Sequence, residues 1–221
     1  MSYDEVMARV QEAATRSGRS PGEITVVAVS KTMTLSDIEG VYRLGHRDFG
    51  ENRAGEMAEK AANLPTDIRW HFVGSLQSNK VRGVRGVVSL LHSMDRRSLA
   101  KAWMKGSGLP PPVLAQVNVG NEPQKSGLSP GEVAGELTWM EGLGLEVRGL
   151  MAIPPIPSHP EDSREHFRSL RLLRDELRLA HPTLTELSMG MSDDFEIAIE
   201  EGASIIRVGR AIFGPRNTTG E

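Results

Sequence analysis

Lys31 closes the run Ile24-Thr25-Val26-Val27-Ala28-Val29-Ser30. An apolar, β-branched run of this kind reads as a strand buried on both faces. A lysine at its end places an ammonium where a buried strand meets a surface. Far along the chain, Ser188-Met-Gly-Met-Ser192 and Arg207-Val-Gly-Arg-Ala-Ile-Phe-Gly214 combine glycines, a hydroxyl and arginines. Glycine lets the backbone approach an anion closely, and free amides at a helix start can bind phosphate oxygens. An amine set beside a phosphate cradle suits a phosphorylated aldehyde held as a Schiff base. The expected occupant is pyridoxal 5'-phosphate.

Each of these residues also has a plainer reading. A lone strand-end lysine commonly runs its stem along apolar surface and leaves its ammonium in water. A desolvated lysine near another cation instead has a depressed pKa and forms Schiff bases readily. Ser192 reads as the cap of a helix starting at Asp193, and Gly190 and Gly209 read as turn glycines. Arg207 sits amid Ser204-Ile205-Ile206 and Val208, where strand alternation points it inward. It then pairs with a carboxylate, or it faces a pyridine nitrogen. A guanidinium only donates, so it would leave that nitrogen unprotonated and make the ring a poor electron sink. His71 and His92 lie on apolar strands and read as core histidines with satisfied nitrogens. Met189 and Met191 read as pocket or core packing.

The elements that must position these residues alternate along the whole chain. Strands are expected over 24–30, 46–50, 68–74, 87–93, 113–119, 146–152, 185–189 and 205–209. Helical periods fall over 35–45, 54–64, 77–84, 96–106, 130–143, 163–180 and 193–202. Over 163–180 the apolar residues Phe167, Leu170, Leu173, Leu177 and Ala180 recur at a spacing of 3–4, an amphipathic stripe. Ser129-Pro130-Gly131-Glu132 supplies a helix cap, a proline at the first turn and a capping-box glutamate. Ser2 with Glu5 starts an extra N-terminal helix in the same way.

Eight strands, each followed by a helix, predict an α/β chain closed as a single (β/α)8 TIM barrel with that extra helix in front. The competing open sheet would carry a Gly-x-Gly-x-x-Gly turn after its first strand, and this chain does not. In a barrel the C-terminal strand ends share one mouth, where the chemistry sits. Lys31, Asn52, Asn118, Met151, Ser192 and Gly209 all follow or end strands, so the fold gathers them. No shift in composition marks a second domain over 1–221, and 215–221 is expected to be a flexible tail.

The bulk properties narrow the function. Net charge is −3, from 26 basic and 29 acidic residues, so there is no general drive toward nucleic acid or anionic membrane. The arginines at 164, 168, 171, 174 and 178 alternate with acids and read as a solvated helix face. With no cysteine there is no disulfide, thiolate or cysteine–zinc chemistry. No apolar run approaches the ~20 residues a membrane helix needs. The polar start Met1-Ser-Tyr-Asp-Glu-Val is unlike a secretion signal, so a cytoplasmic chain is expected.

Several blocks in order then resemble the YggS/PROSC family of pyridoxal phosphate homeostasis proteins. They are Val26-Val-Ala-Val-Ser-Lys-Thr32, Phe49-Gly-Glu-Asn-Arg53, Trp70-His-Phe-Val-Gly-Ser-Leu-Gln-Ser-Asn-Lys80, Lys125-Ser-Gly127, Gly149-Leu-Met-Ala-Ile-Pro154, Leu187-Ser-Met-Gly-Met-Ser192 and Val208-Gly-Arg-Ala-Ile-Phe-Gly214. The resemblance implies a barrel like the alanine racemase N-terminal domain, with the cofactor on Lys31. It implies phosphate held by Ser192 and the Gly209–Arg210 backbone, Arg207 facing the ring nitrogen, and Asn52 near the cofactor. It also implies a protein that buffers the cofactor or delivers it to apo-enzymes, without robust catalysis. Family members usually carry a small hydroxyl residue where this chain has Arg210. A monomer is expected.

Two enzymatic alternatives stand beside the carrier. A two-base racemase needs a second proton donor, typically a tyrosine from another domain, and Tyr3 and Tyr42 both fall in helices away from the expected mouth. A Schiff-base aldolase needs an acid/base group inside the barrel, and no convincing candidate stands out.

Overall fold

In the computed structural model, which describes residues 2–214, eight parallel strands close into a barrel in sequence order. The strands are β1 Thr25–Val29, β2 Asp48–Glu51, β3 Arg69–Phe72, β4 Val88–Met94, β5 Val113–Gln116, β6 Val147–Met151, β7 Glu186–Ser188 and β8 Ile205–Val208. Closure comes from β1 pairing with β8, with Val27 opposite Arg207 and Ala28 opposite Val208. The first and last strands are therefore neighbours, which sets Lys31 beside the Gly209 turn. The expected flexible tail over 215–221 lies outside the described residues.

The helices are α1 Tyr3–Arg16, α2 Leu35–Arg43, α3 Ala54–Asn63, α4 Val81–Val84, α5 Arg97–Met104, α6 Val133–Gly142, α7 Arg164–Leu177, α8 Phe195–Glu200 and α9 Arg210–Phe213. Ser2 and Glu5 form the expected capping box on α1. Ser129 and Glu132 form another, on the 3-10 turn Pro130–Glu132 that leads into α6. The two short helices of the C-terminal stretch, α8 and α9, frame the mouth beside β7 and β8.

Two apolar layers hold the barrel. The larger lies between sheet and helices, and includes Phe49, Trp70, Phe72, Leu91, Trp103, Phe167 and Phe195. The smaller fills the barrel interior with Val27, Val73, Leu90, Leu114, Met151 and Ile205. Along β1, β5 and β8 side chains alternate between these layers, as the period of two requires, while register shifts interrupt the alternation around β4 and β6. Gly50 is small because a Cβ there would come 2.7 Å from the Val27 side chain.

The arginine stripe of α7 is in part the solvated face expected, with Arg168 and Arg178 exposed, but it also serves a buried partner. Arg164, Arg168 and Arg171 converge on Glu201, which is buried, at 3.1, 3.0 and 3.3 Å. Burial would raise the Glu201 carboxyl, but the guanidiniums beside it hold it below its ordinary value. Alternating charge on one helix looked like a solvent face because the partner carboxylate lies far away in sequence.

Candidate functional site

One cavity of ≈ 270 Å³ opens at the C-terminal end of the strands. Lys31, Asn52, Ser192, Arg207, Gly209 and Arg210 all line it, together with Val29, Val73, Gly74, Ile153, Met191 and Asp193. Every residue singled out above for cofactor binding is thus on one wall or another of the same space. Asn118 and Met151 are at strand ends but do other work. Asn118 clasps the loop after β5 through Glu122, donating to its carbonyl at 2.8 Å, and Met151 is in the barrel interior.

The Lys31 turn is fixed from behind. The Lys60 ammonium is buried and donates to the Ser30 carbonyl at 2.7 Å, Glu51 Oε1 at 2.8 Å and Glu56 Oε1 at 2.6 Å. Ser30 Oγ donates to the same Glu51 oxygen at 2.7 Å, and the Thr32 amide donates to Glu56 Oε1 at 2.6 Å. Both residues flanking Lys31 are therefore tied to one ionic cluster. Burial pushes the Glu51 carboxyl up, while Lys60 and Ser30 pull it back down without fully cancelling that push. Thr32 adopts φ 66, a left-handed conformation uncommon for a β-branched residue, which this cluster must hold. Sequence reading missed Lys60, Glu51 and Glu56. A lysine inside an amphipathic helix gives no sign of burial unless its partners are known.

Arg207 points into the barrel below the cavity and is buried. Its Nη1 donates to Ser188 Oγ at 2.6 Å and its Nη2 to the Ala152 carbonyl at 2.9 Å. These partners are neutral, so the carboxylate pairing considered from sequence does not occur; Asp194 acts only through its charge. Burial pulls the guanidinium down to about 10, against the attraction of Asp194. At neutral pH it is still a cation and still only a donor.

The anion end is built by two turns that face each other. Asp194, not Ser192, stands at the N-cap position of α8, and its side chain ties the turn before the helix instead of capping the helix amides: its Oδ1 accepts from the Met191 amide at 2.7 Å, and its Oδ2 from Ser163 Oγ at 2.7 Å. That corrects the expected cap. Ser192 Oγ instead faces the start of α9 and lies 3.4 Å from the Ala211 amide. Gly209 precedes that helix, and a Cβ there would sit 3.1 Å from the Val29 carbonyl oxygen, so the approach of β8's end to β1 favours glycine. The Arg210 side chain forms an ion pair with Asp193 on the rim. It thereby offsets a carboxylate that would otherwise face any bound anion alone.

Asn52 contributes an orphaned acceptor. Its Oδ1 is buried and has no hydrogen-bond partner. A buried polar atom left alone costs free energy, so such an atom in a cavity wall marks where a ligand donor belongs. Gly74 packs against it so closely that a Cβ would lie 2.5 Å from the Asn52 carbonyl oxygen.

Comparison with known proteins agrees with this geometry. Residues 2–217 match the family model of the alanine racemase N-terminal domain. A pyridoxal phosphate homeostasis protein of Aquifex aeolicus is 43% identical over 217 residues, covering 96% of this chain and 95% of the relative. Among solved structures, PipY of Synechococcus elongatus with pyridoxal phosphate bound superposes with a TM-score of 0.79 at 34% identity, over 93% of this chain and 100% of that one. Alanine racemase from Corynebacterium glutamicum shares the fold, with a TM-score of 0.75 at 15% identity over 100% of this chain and 64% of that one.

Proposed function

The chain belongs to the pyridoxal phosphate homeostasis protein family, built on the alanine racemase N-terminal domain, and from that premise we propose that it binds pyridoxal 5'-phosphate in the 270 Å³ cavity and serves the cell's supply of that cofactor. The observation that carries this is the convergence of an amine from the chain's first strand and an anion cradle from its last on one space. Lys31 holds the cofactor as a reversible Schiff base. Ser192 and the Gly209–Arg210 backbone hold its phosphate, and the orphaned Asn52 Oδ1 accepts from a donor near the ring. Arg207 faces the pyridine nitrogen. The bound aldehyde supplies reversible condensation with amines, which suits storage and transfer.

What supports carriage over turnover is the wall chemistry. Arg207 remains a cation and cannot give the ring nitrogen a partner that accepts, so stabilisation of a carbanion is weak. Tyr42 donates to Asp67 at 2.7 Å and Tyr3 contacts His46 at 3.2 Å, so both tyrosine hydroxyls are engaged away from the cavity. We take the carrier to act as a cytoplasmic monomer and a single domain, handing its cofactor to apo-enzymes.

Titration of the protein with pyridoxal phosphate tests the reading. A visible absorption band should appear in the parent chain and be lost in Lys31→Ala. An unchanged band in Lys31→Ala would move the site elsewhere. Steady loss of an amino acid's α-proton to deuterated water would replace the carrier with a racemase.

A further inference from the structure

Ser188, the last residue of β7, joins Arg207 to a chain of hydrogen bonds that crosses the barrel interior. Its Oγ lies 2.8 Å from His92 Nδ1. His92 Nε2 lies 2.9 Å from His71 Nδ1, and His71 Nε2 lies 3.1 Å from Asp48 Oδ1. Asp48 is the first residue of β2, at the opposite end of the strands from the mouth, and Arg69 closes the outer end on the same carboxylate. Ser188, His92 and His71 are all buried, so water cannot substitute for these partners.

The hydrogens can be assigned from the carboxylate inward. Ionised Asp48 only accepts, so His71 donates from Nε2 and a neutral ring accepts at Nδ1. His92 must then donate from Nε2 and accept at Nδ1, which makes the Ser188 hydroxyl its donor. That rotation turns the Ser188 lone pairs to Arg207, which can only donate. The reverse order would set two donors, Arg207 and His92, against one serine oxygen and would require a second proton on His71. Burial first, and then the charge of Arg207, keep His92 neutral, in agreement with the first order.

We propose that His92 is a positioning residue: it orients the Ser188 hydroxyl, which fixes the Arg207 guanidinium with its remaining N–H groups toward the cofactor ring. This rests on the reading of Arg207 as the group facing that ring. It assigns a role to two histidines and a serine that packing alone would leave as core.

The test begins with the cofactor-free protein. Nitrogen NMR of the imidazoles should show His92 protonated at Nε2 and not at Nδ1, and the Arg207 guanidinium should give slowly rotating, resolved N–H signals. His92→Gln keeps an acceptor for Ser188 and a donor for His71, so it should retain those guanidinium signals. His92→Leu and Ser188→Ala should lose them. With cofactor, both of these variants should weaken pyridoxal phosphate binding about tenfold, as expected for one lost buried hydrogen bond, while His92→Gln stays near the parent. A proton on His92 Nδ1, or guanidinium signals and affinity unchanged in folded Ser188→Ala, would overturn the proposal. If the parent chain bound no pyridoxal phosphate, the functional reading would fail, and the tautomer and guanidinium signals would still decide this one.

Discussion

The Lys60 ammonium donates to the Ser30 carbonyl at 2.7 Å, one residue before the amine proposed to hold the cofactor. The geometry of the Lys31 turn is thus set by a buried ion cluster on α3 and β2 and not by the turn itself. Removing Lys60 leaves Glu51 buried without its cation, a change that typically costs about 3–5 kcal/mol. Lys60→Met should lower unfolding stability by that order in denaturant melts. Lys60→Met combined with Glu51→Met should recover much of it, because the fully buried Glu51 carboxylate is then removed together with its cation. Equal losses in the single and double variants would show that the charge pairing is not what holds the turn.

The rim pair of Arg210 and Asp193 makes a separate prediction. Arg210→Ala exposes the Asp193 carboxylate to the phosphate site and should weaken cofactor retention roughly threefold, the scale of an exposed pair. Adding Asp193→Ala should restore it. Dialysis release rates of the two variants measure this, and a double variant as leaky as Arg210→Ala would count against a repulsive role for Asp193.

Gly74 against Asn52 tests the orphaned acceptor. A Cβ at position 74 would overlap the Asn52 backbone, so Gly74→Ala must push that residue from its place. Binding affinity for pyridoxal phosphate should drop about tenfold, as for loss of one buried hydrogen bond, with a folded circular dichroism spectrum. Unchanged affinity would remove Asn52 from the binding wall.

Asp48 predicts an acid limit. Burial alone would raise its carboxyl, but hydrogen bonds from His71 and Arg69, with the charge of Arg69, hold it well below the usual carboxylate range. The unfolded chain therefore binds this proton more readily than the folded one. Asp48 stabilises the fold fully above the ordinary aspartate pKa of about 4, and that contribution fades as pH falls below it. The stability gap between parent and Asp48→Asn should be flat near neutrality and shrink below about pH 4. A gap that widened in acid would reverse the assignment.

Much of this was legible in the residues. The run ending at Val29, the alternation of strands and helices, and the glycine-bearing turns at Ser192 and Gly209 follow local rules of period and capping, which sequence displays directly. The cavity wall was legible because closing a barrel brings strand ends together, whatever their order in the chain. Pairings across long separations were not legible. Lys60 beneath Lys31, Glu201 under the α7 arginines, and the His71–His92 contact depend on which inward positions meet after closure, and single residues carry no mark of that. The start of α8 after Asp194 was missed because Ser192 and Asp194 are both residue types that favour a helix start, and only the path of the turn distinguishes them.

Borohydride reduction of the protein loaded with pyridoxal phosphate, followed by peptide mass spectrometry, addresses the central claim most directly. The account predicts that the pyridoxyl mass is found on the peptide carrying Lys31 and on no other lysine at comparable yield. A label on Lys80, Lys101 or Lys125 with Lys31 unmodified would contradict it.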